Sequence, residues 1–208
     1  MNSHPQKSPT PADRRRVPRA DRHSQASDPR TTSRDDGRRI LKAAIAILSQ
    51  GEELLEILPA EIYARKVPLA FNASIGGHYR HCLDHFTSLL RGLDADTVDY
   101  DDRERDVRLE TQTDFALILT RQTRAALEQL TQRALETLVA ARCEVSYDHG
   151  DSPITPSSLG RELVYVIAHA IHHYALISVM ARLMEVKLPE QFGVAPSTVA
   201  HQAWNKPQ

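Results

Sequence analysis

Residues 158–175 read SLGRELVYVIAHAIHHYA, and within that run Leu159, Leu163, Val166, Ala170 and Tyr174 recur at steps of three or four. Ile177, Ala181 and Met184 continue the series to about Val186. An apolar stripe of that period belongs to a helix packed on a core. Thr155 followed by Pro156 reads as a cap-then-proline start for it. The stripe shares its helix with three histidines, His169, His172 and His173.

Three further segments carry the same period. The first runs from about Arg38 to Leu58, with Asp35 or Asp36 able to cap its start and Pro59 after its end. The second runs from about Ser74 to Leu93, with Ser74 as cap and Ile75, Tyr79, Cys82, Phe86, Leu89 and Leu93 on one face. The third is expected from Thr113 or Asp114 to about Ala140. Residues 61–70 read as a connector broken by Pro68. Residues 94–108 read as an acidic loop with room for a short extended piece. Glu144–Tyr147 alternates like a strand, and residues 148–153 read as a turn. Four helices, with no glycine-rich nucleotide loop and no alternating strand–helix pattern, predict an all-α four-helix bundle over residues 37–192. An irregular tail is expected over 193–208.

Residues 1–36 have almost no large apolar side chains and are rich in Arg, Ser, Pro, Thr and Asp. Such a segment cannot bury enough surface to offset ordering entropy, so disorder is expected there. Up to Arg39 there are ten Lys/Arg against five Asp, which leaves sixteen basic and twenty-two acidic side chains for the rest. The acidic body has no basic stripe for a nucleic-acid groove, and the basic tail reads as a solvated extension. Cys82 and Cys143 fall in different elements with no metal or disulfide-framework spacing, which fits a reducing, cytoplasmic setting. No uninterrupted apolar run of about 18 residues points to a membrane span or signal segment.

The chemistry lies in the histidines. His78, His81 and His85 fall within an arc of roughly 60° on the second helix. His169 and His173 sit one turn apart on the fourth, a ready two-point chelate. One more imidazole from a facing helix completes a three-nitrogen site with room for water. By periodicity alone His78 and His85 point nearer the apolar stripe than His81 does, so the second helix leaves its ligand open. His172 is about 100° from His173 and faces another way. Asp84 and Glu162 are the nearest carboxylates, each with a structural ion pair as its simpler role. Cys82, on the apolar stripe, reads as a buried thiol.

SIGGHYRHCLDH (74–85) together with residues 158–175 resembles the two signature helices of DinB-like proteins, a superfamily of metal-binding four-helix bundles. The resemblance covers roughly residues 38–186. It implies His81, His169 and His173 as ligands, with His78 and His85 as substitutes or as groups orienting them. It implies a divalent ion, Zn²⁺, Ni²⁺ or Mn²⁺. It also implies a metal-dependent enzyme of the thiol S-transferase or hydrolase kind, acting on a small molecule with a low-molecular-weight thiol as partner. A homodimer is compatible with it, and neither a membrane nor a nucleic acid is expected. The alternatives are a non-catalytic metal-binding or interaction bundle and a bis-histidine haem bundle. Tyr174 stands where many members carry Arg, which removes a charged substrate contact at that position.

Overall fold

The computed structural model describes residues 33–102, 104–148 and 150–204. The tail expected to be disordered lies, up to residue 32, outside the described residues. The first helix, α1 (Arg34–Ile57), begins where Ser33 accepts a hydrogen bond from the Asp36 amide, with Asp35 and Asp36 in its first turn. A side-chain oxygen and two carboxylates there satisfy the helix's open N–H groups and its dipole. Leu41, Ala44, Ile47, Leu48, Leu54 and Leu55 enter the core. A short α2 (Ala60–Ala64) follows, then β1 (Lys66–Val67) paired antiparallel with β2 (Ala73–Ser74).

The second long helix is α3 (Ile75–Ala95), capped by Ser74, whose hydroxyl accepts from the Gly77 amide at 3.0 Å. After it come β3 (Thr97–Asp99), α4 (Val107–Thr111) and α5 (Thr113–Glu128). Then come β4 (Leu138–Arg142), β5 (Ile154–Ser158), α6 (Leu159–Leu183) and α7 (Pro196–Trp204). The helices α1, α3, α5 and α6 form the four-helix bundle, α1 lying between α5 and α6, and α3 packing on α6 and α5. Pairings across α3 and α6 run in opposite numerical order: His78 meets His173, His81 meets His169, and His85 lies against Tyr165. The two helices are therefore antiparallel.

Four expectations are corrected. The third helix stops at Glu128 instead of reaching Ala140, and residues 138–142 form β4. Leu-Val-Ala-Ala-Arg has no strong local objection to a helix. It becomes a strand because it is the central one, parallel to β3 and antiparallel to β5, with Val139 and Ala141 turned inward. The pairing of backbone groups on both edges outweighs local propensity. The strand expected at Glu144–Tyr147 is not formed, and the chain there is irregular. Thr155–Pro156 does not open the fourth helix. Pro156 sits in β5, an edge strand that tolerates a missing N–H, and Ser158 is the cap, accepting from the Arg161 amide. The tail after residue 192 contains α7.

The three-stranded sheet positions the site. β3 starts just after α3 ends and β5 runs straight into α6, so the sheet ties the end of one histidine-bearing helix to the start of the other. On the other side of α6, Phe192 stacks on Tyr174 at 4.8 Å, and Gly193 follows at φ +70°. A side chain on Gly193 would meet the α6 backbone at Tyr174 and Ala175.

Candidate metal centre

The SIGG start of α3 is shaped by what docks on it. A Cβ on Gly76 would lie 2.0 Å from the Glu110 carbonyl oxygen, so only glycine lets α4 approach this closely. The buried Tyr63 hydroxyl donates to the Leu109 carbonyl at 2.6 Å, holding α2 to α4. The Glu110 carboxylate accepts from Lys66 Nζ at 2.6 Å, from Arg80 Nη1 at 2.8 Å and from the Ser74 hydroxyl at 3.3 Å. Its hydrogen bond to Lys66, with the nearby Arg80 charge, holds its carboxyl below the usual range despite partial burial. The first turns of α3 are thereby locked against rotation.

That lock aims three histidines at α6. His81, His169 and His173 each offer one ring nitrogen, and the three nitrogens lie within 4.8 Å of one another. Within the group, His81 Nε2 and His169 Nε2 are 3.0 Å apart. Two nitrogens bound tetrahedrally to one zinc-like ion at the usual bond length lie about 3.3 Å apart, so the donor set fits such an ion. All three rings are half-buried. Burial is the main cause that drives His173 down to about 3, and the neighbouring imidazoles add to it. At neutral pH it is an uncharged ring with a lone pair to give.

His78 and His85 flank this group. His78 Nδ1 lies 2.9 Å from His173 Nδ1, and burial pushes its pKa down as well. His85 is buried and its Nδ1 donates to the His81 carbonyl at 2.8 Å, which places a proton on that nitrogen. The His85 ring is sandwiched between His169 at 4.2 Å and Tyr100 at 5.0 Å. His172 is exposed on the outer side of α6, with its ring 5.3 Å from that of His173. All three rings of the trio on α3 face α6. Which one lies across from both α6 histidines depends on where along the helices the crossing falls.

The two candidate carboxylates stand apart. Asp84 is buried 3.9 Å from Arg80 Nε. Glu162 is buried and accepts from the Tyr100 hydroxyl at 2.9 Å and the Ser157 hydroxyl at 2.5 Å. Cys82 is buried, and burial pushes its thiol far above the usual range. Neither Cys82 nor Cys143 is in a disulfide.

The histidines open on a cleft of about 440 Å³, lined by His78, His81 and His173, by Gly77 and by Lys66, Arg80, Arg105 and Glu110. Three cations against one carboxylate make it electropositive. Sequence reasoning missed Lys66, Arg105, Glu110 and Tyr100. All four come from connectors or short elements with no periodic signal. Tyr165, one turn before His169, was within reach of the helical spacing.

The DinB family model matches residues 46–192. A crystal structure of a DinB-like protein from Bacillus subtilis, YjoA, superposes with a TM-score of 0.53 at 21% identity, covering 74% of this chain and 98% of that one. Among curated proteins, FK506-binding protein 5 of Rhizopus delemar is 31% identical over 104 residues, 50% of this chain. The chain spans only 27% of that relative's length.

Proposed function

Because the chain belongs to the DinB family, we propose that His81, His169 and His173 hold a divalent metal ion in an enzyme acting on a small molecule. The single observation that carries the reading is the meeting of three ring nitrogens from two antiparallel helices, two of them on histidines, His81 and His173, that line an electropositive cleft. Three imidazoles suit Zn²⁺, Ni²⁺ or Mn²⁺, and His173, uncharged at neutral pH, supplies its lone pair without an extra proton to displace. When bound, such an ion keeps a position for water or a thiol and lowers the pKa of that group.

The protein's own residues do the rest. His85 hydrogen-bonds the His81 backbone and packs on the His169 ring, and His78 meets the His173 Nδ1, so the two α6 rings are oriented from behind and the α3 backbone is held at His81. Glu110 stays ionised and engaged with Lys66 and Arg80, so it shapes the cleft without giving or taking a proton near neutrality. Lys66 and Arg105 present charge to the carboxylates of an incoming molecule. The substrate class favoured by this lining is a low-molecular-weight thiol bearing carboxylates, transferred to an electrophile. Hydrolysis is the outcome if water takes the thiol's place. Two cysteines outside any disulfide are compatible with a reducing, cytoplasmic setting.

Metal analysis of the purified chain tests the reading. About one equivalent is expected, and His169→Ala and His173→Ala should lose it. Less than about a tenth of an equivalent after adding Zn²⁺, Ni²⁺ or Mn²⁺ refutes the site. Full metal without turnover on thiol and ester panels refutes the enzyme and leaves a metal-binding bundle.

A further inference from the structure

A second cavity, of about 250 Å³, lies at the start of α6 and is lined by none of the triad. One wall is Tyr100 and Tyr165, whose rings meet edge to face at 5.3 Å. Ala141 of β4 and Val145 beyond it add apolar surface, with Val145 78% exposed. The lining also carries two opposite charges on consecutive residues, Arg161 and Glu162. Consecutive side chains on a helix point about 100° apart, and these two do not meet. Among the described residues neither takes part in an ion pair. Arg161 is exposed, whereas Glu162 is buried and accepts only from two neutral hydroxyls, those of Tyr100 and Ser157. Burial and the Glu162 carboxylate push the Tyr100 phenol far above its usual range, so it stays a neutral donor. A buried carboxylate ordinarily has a cation against it. Here the space beside it is the cavity.

We propose that this cavity binds a free amino acid with an aliphatic side chain. Its ammonium group meets Glu162, its carboxylate meets Arg161, and its side chain lies against Tyr100, Tyr165 and Val145. Three features select a zwitterion. A plain carboxylic acid would pair with Arg161 but be repelled by Glu162. A plain amine would pair with Glu162 but be repelled by Arg161. A molecule with both charges on one carbon answers both residues at once, and its uncharged remainder suits the aromatic and apolar wall. Size agrees as well: at about 30 Å³ for each water-sized group, the cavity has room for about eight, close to the number of non-hydrogen atoms in valine or leucine. The site stands apart from the metal reading, since none of these residues is a metal ligand. It is nonetheless close to the histidines, because Tyr100 stacks on His85 at 5.0 Å and the Tyr165 ring lies 5.7 Å from that of His169.

Calorimetric titration of the full chain with L-leucine should give a dissociation constant of about a millimolar or below. Leucine methyl ester lacks the anion and N-acetyl-leucine lacks the cation, and each should bind at least tenfold more weakly. Glu162→Gln should weaken leucine binding at least tenfold and Arg161→Gln several-fold, both with unchanged circular dichroism. Val145→Trp fills the cavity mouth without altering either charge and should weaken it comparably. His173→Ala should change it less than about twofold, whether or not metal is retained. Absence of binding up to about 10 mM leucine overturns the proposal. So does a derivative that binds as tightly as leucine, or a folded Glu162→Gln variant with the parent's affinity. Loss of leucine binding in His173→Ala also overturns it, because leucine would then be a ligand of the metal and not of this cavity.

Discussion

Replacing the five clustered histidines one at a time by alanine separates ligands from supports. A structural zinc site is worth about 10–16 kcal/mol in apparent binding, or about 2.5–4 kcal/mol for each of four ligands. Losing one nitrogen of the triad should therefore weaken metal binding roughly 100- to 1000-fold. His81→Ala, His169→Ala and His173→Ala belong to this class, because their nitrogens share a sphere of 4.8 Å. His85→Ala removes the donor to the His81 carbonyl and one face of the His169 stack, and His78→Ala removes the neighbour of His173 Nδ1. Groups that orient ligands are worth about 10- to 100-fold, so both should fall below the triad. Competition with a chromophoric chelator measures the five affinities, with circular dichroism as the check on folding. If His81→Ala binds as tightly as the parent, or His78→Ala costs more than His81→Ala, the triad is wrong and the ligand on α3 is another of its histidines.

Other consequences follow from the same packing. Gly76→Ala drives a methyl into the Glu110 carbonyl and should cost about 3 kcal/mol, a fall of roughly 10 °C in Tm; a shift under about 2 °C contradicts the close approach of α4. Tyr100→Phe strips one of the two hydroxyl donors from buried Glu162 and should cost about 1.5–3 kcal/mol in urea unfolding, whereas a neutral result would mean Glu162 draws little from Tyr100. For pH, His173 folds with its pKa lowered from 6.5 to about 3, so the unfolded chain takes up the proton first. Stability from this group is complete above about 6.5 and drains away as pH falls toward about 3. After allowance for solvent around a half-buried ring it amounts to about 2 kcal/mol. Melting of the metal-free chain at pH 7, 5.5 and 4.5 should show the decline, and His173→Gln should flatten it.

The sequence by itself determined the four bundle helices, the Ser74 cap and the candidate histidines, because each is written in local terms. A three-to-four-residue apolar period specifies which face enters a core, and an i, i+4 histidine pair specifies a chelating edge. Residues 34–57, 75–95 and 159–183 needed no partner to be recognised as helices. The family resemblance supplied His81 where the wheel pointed to its neighbours. What local pattern could not carry was decided by contacts between distant segments. Residues 138–142 became a strand because β3 and β5 offered backbone on both sides, and Pro156 was read as a helix start because an edge strand leaves no local mark. Glu110 reached Lys66, Ser74 and Arg80 across some 30 to 44 positions of chain. Only the antiparallel crossing of α3 and α6 settled how deep each histidine sits, since the period of a helix records direction around its axis but not the height at which another helix crosses it.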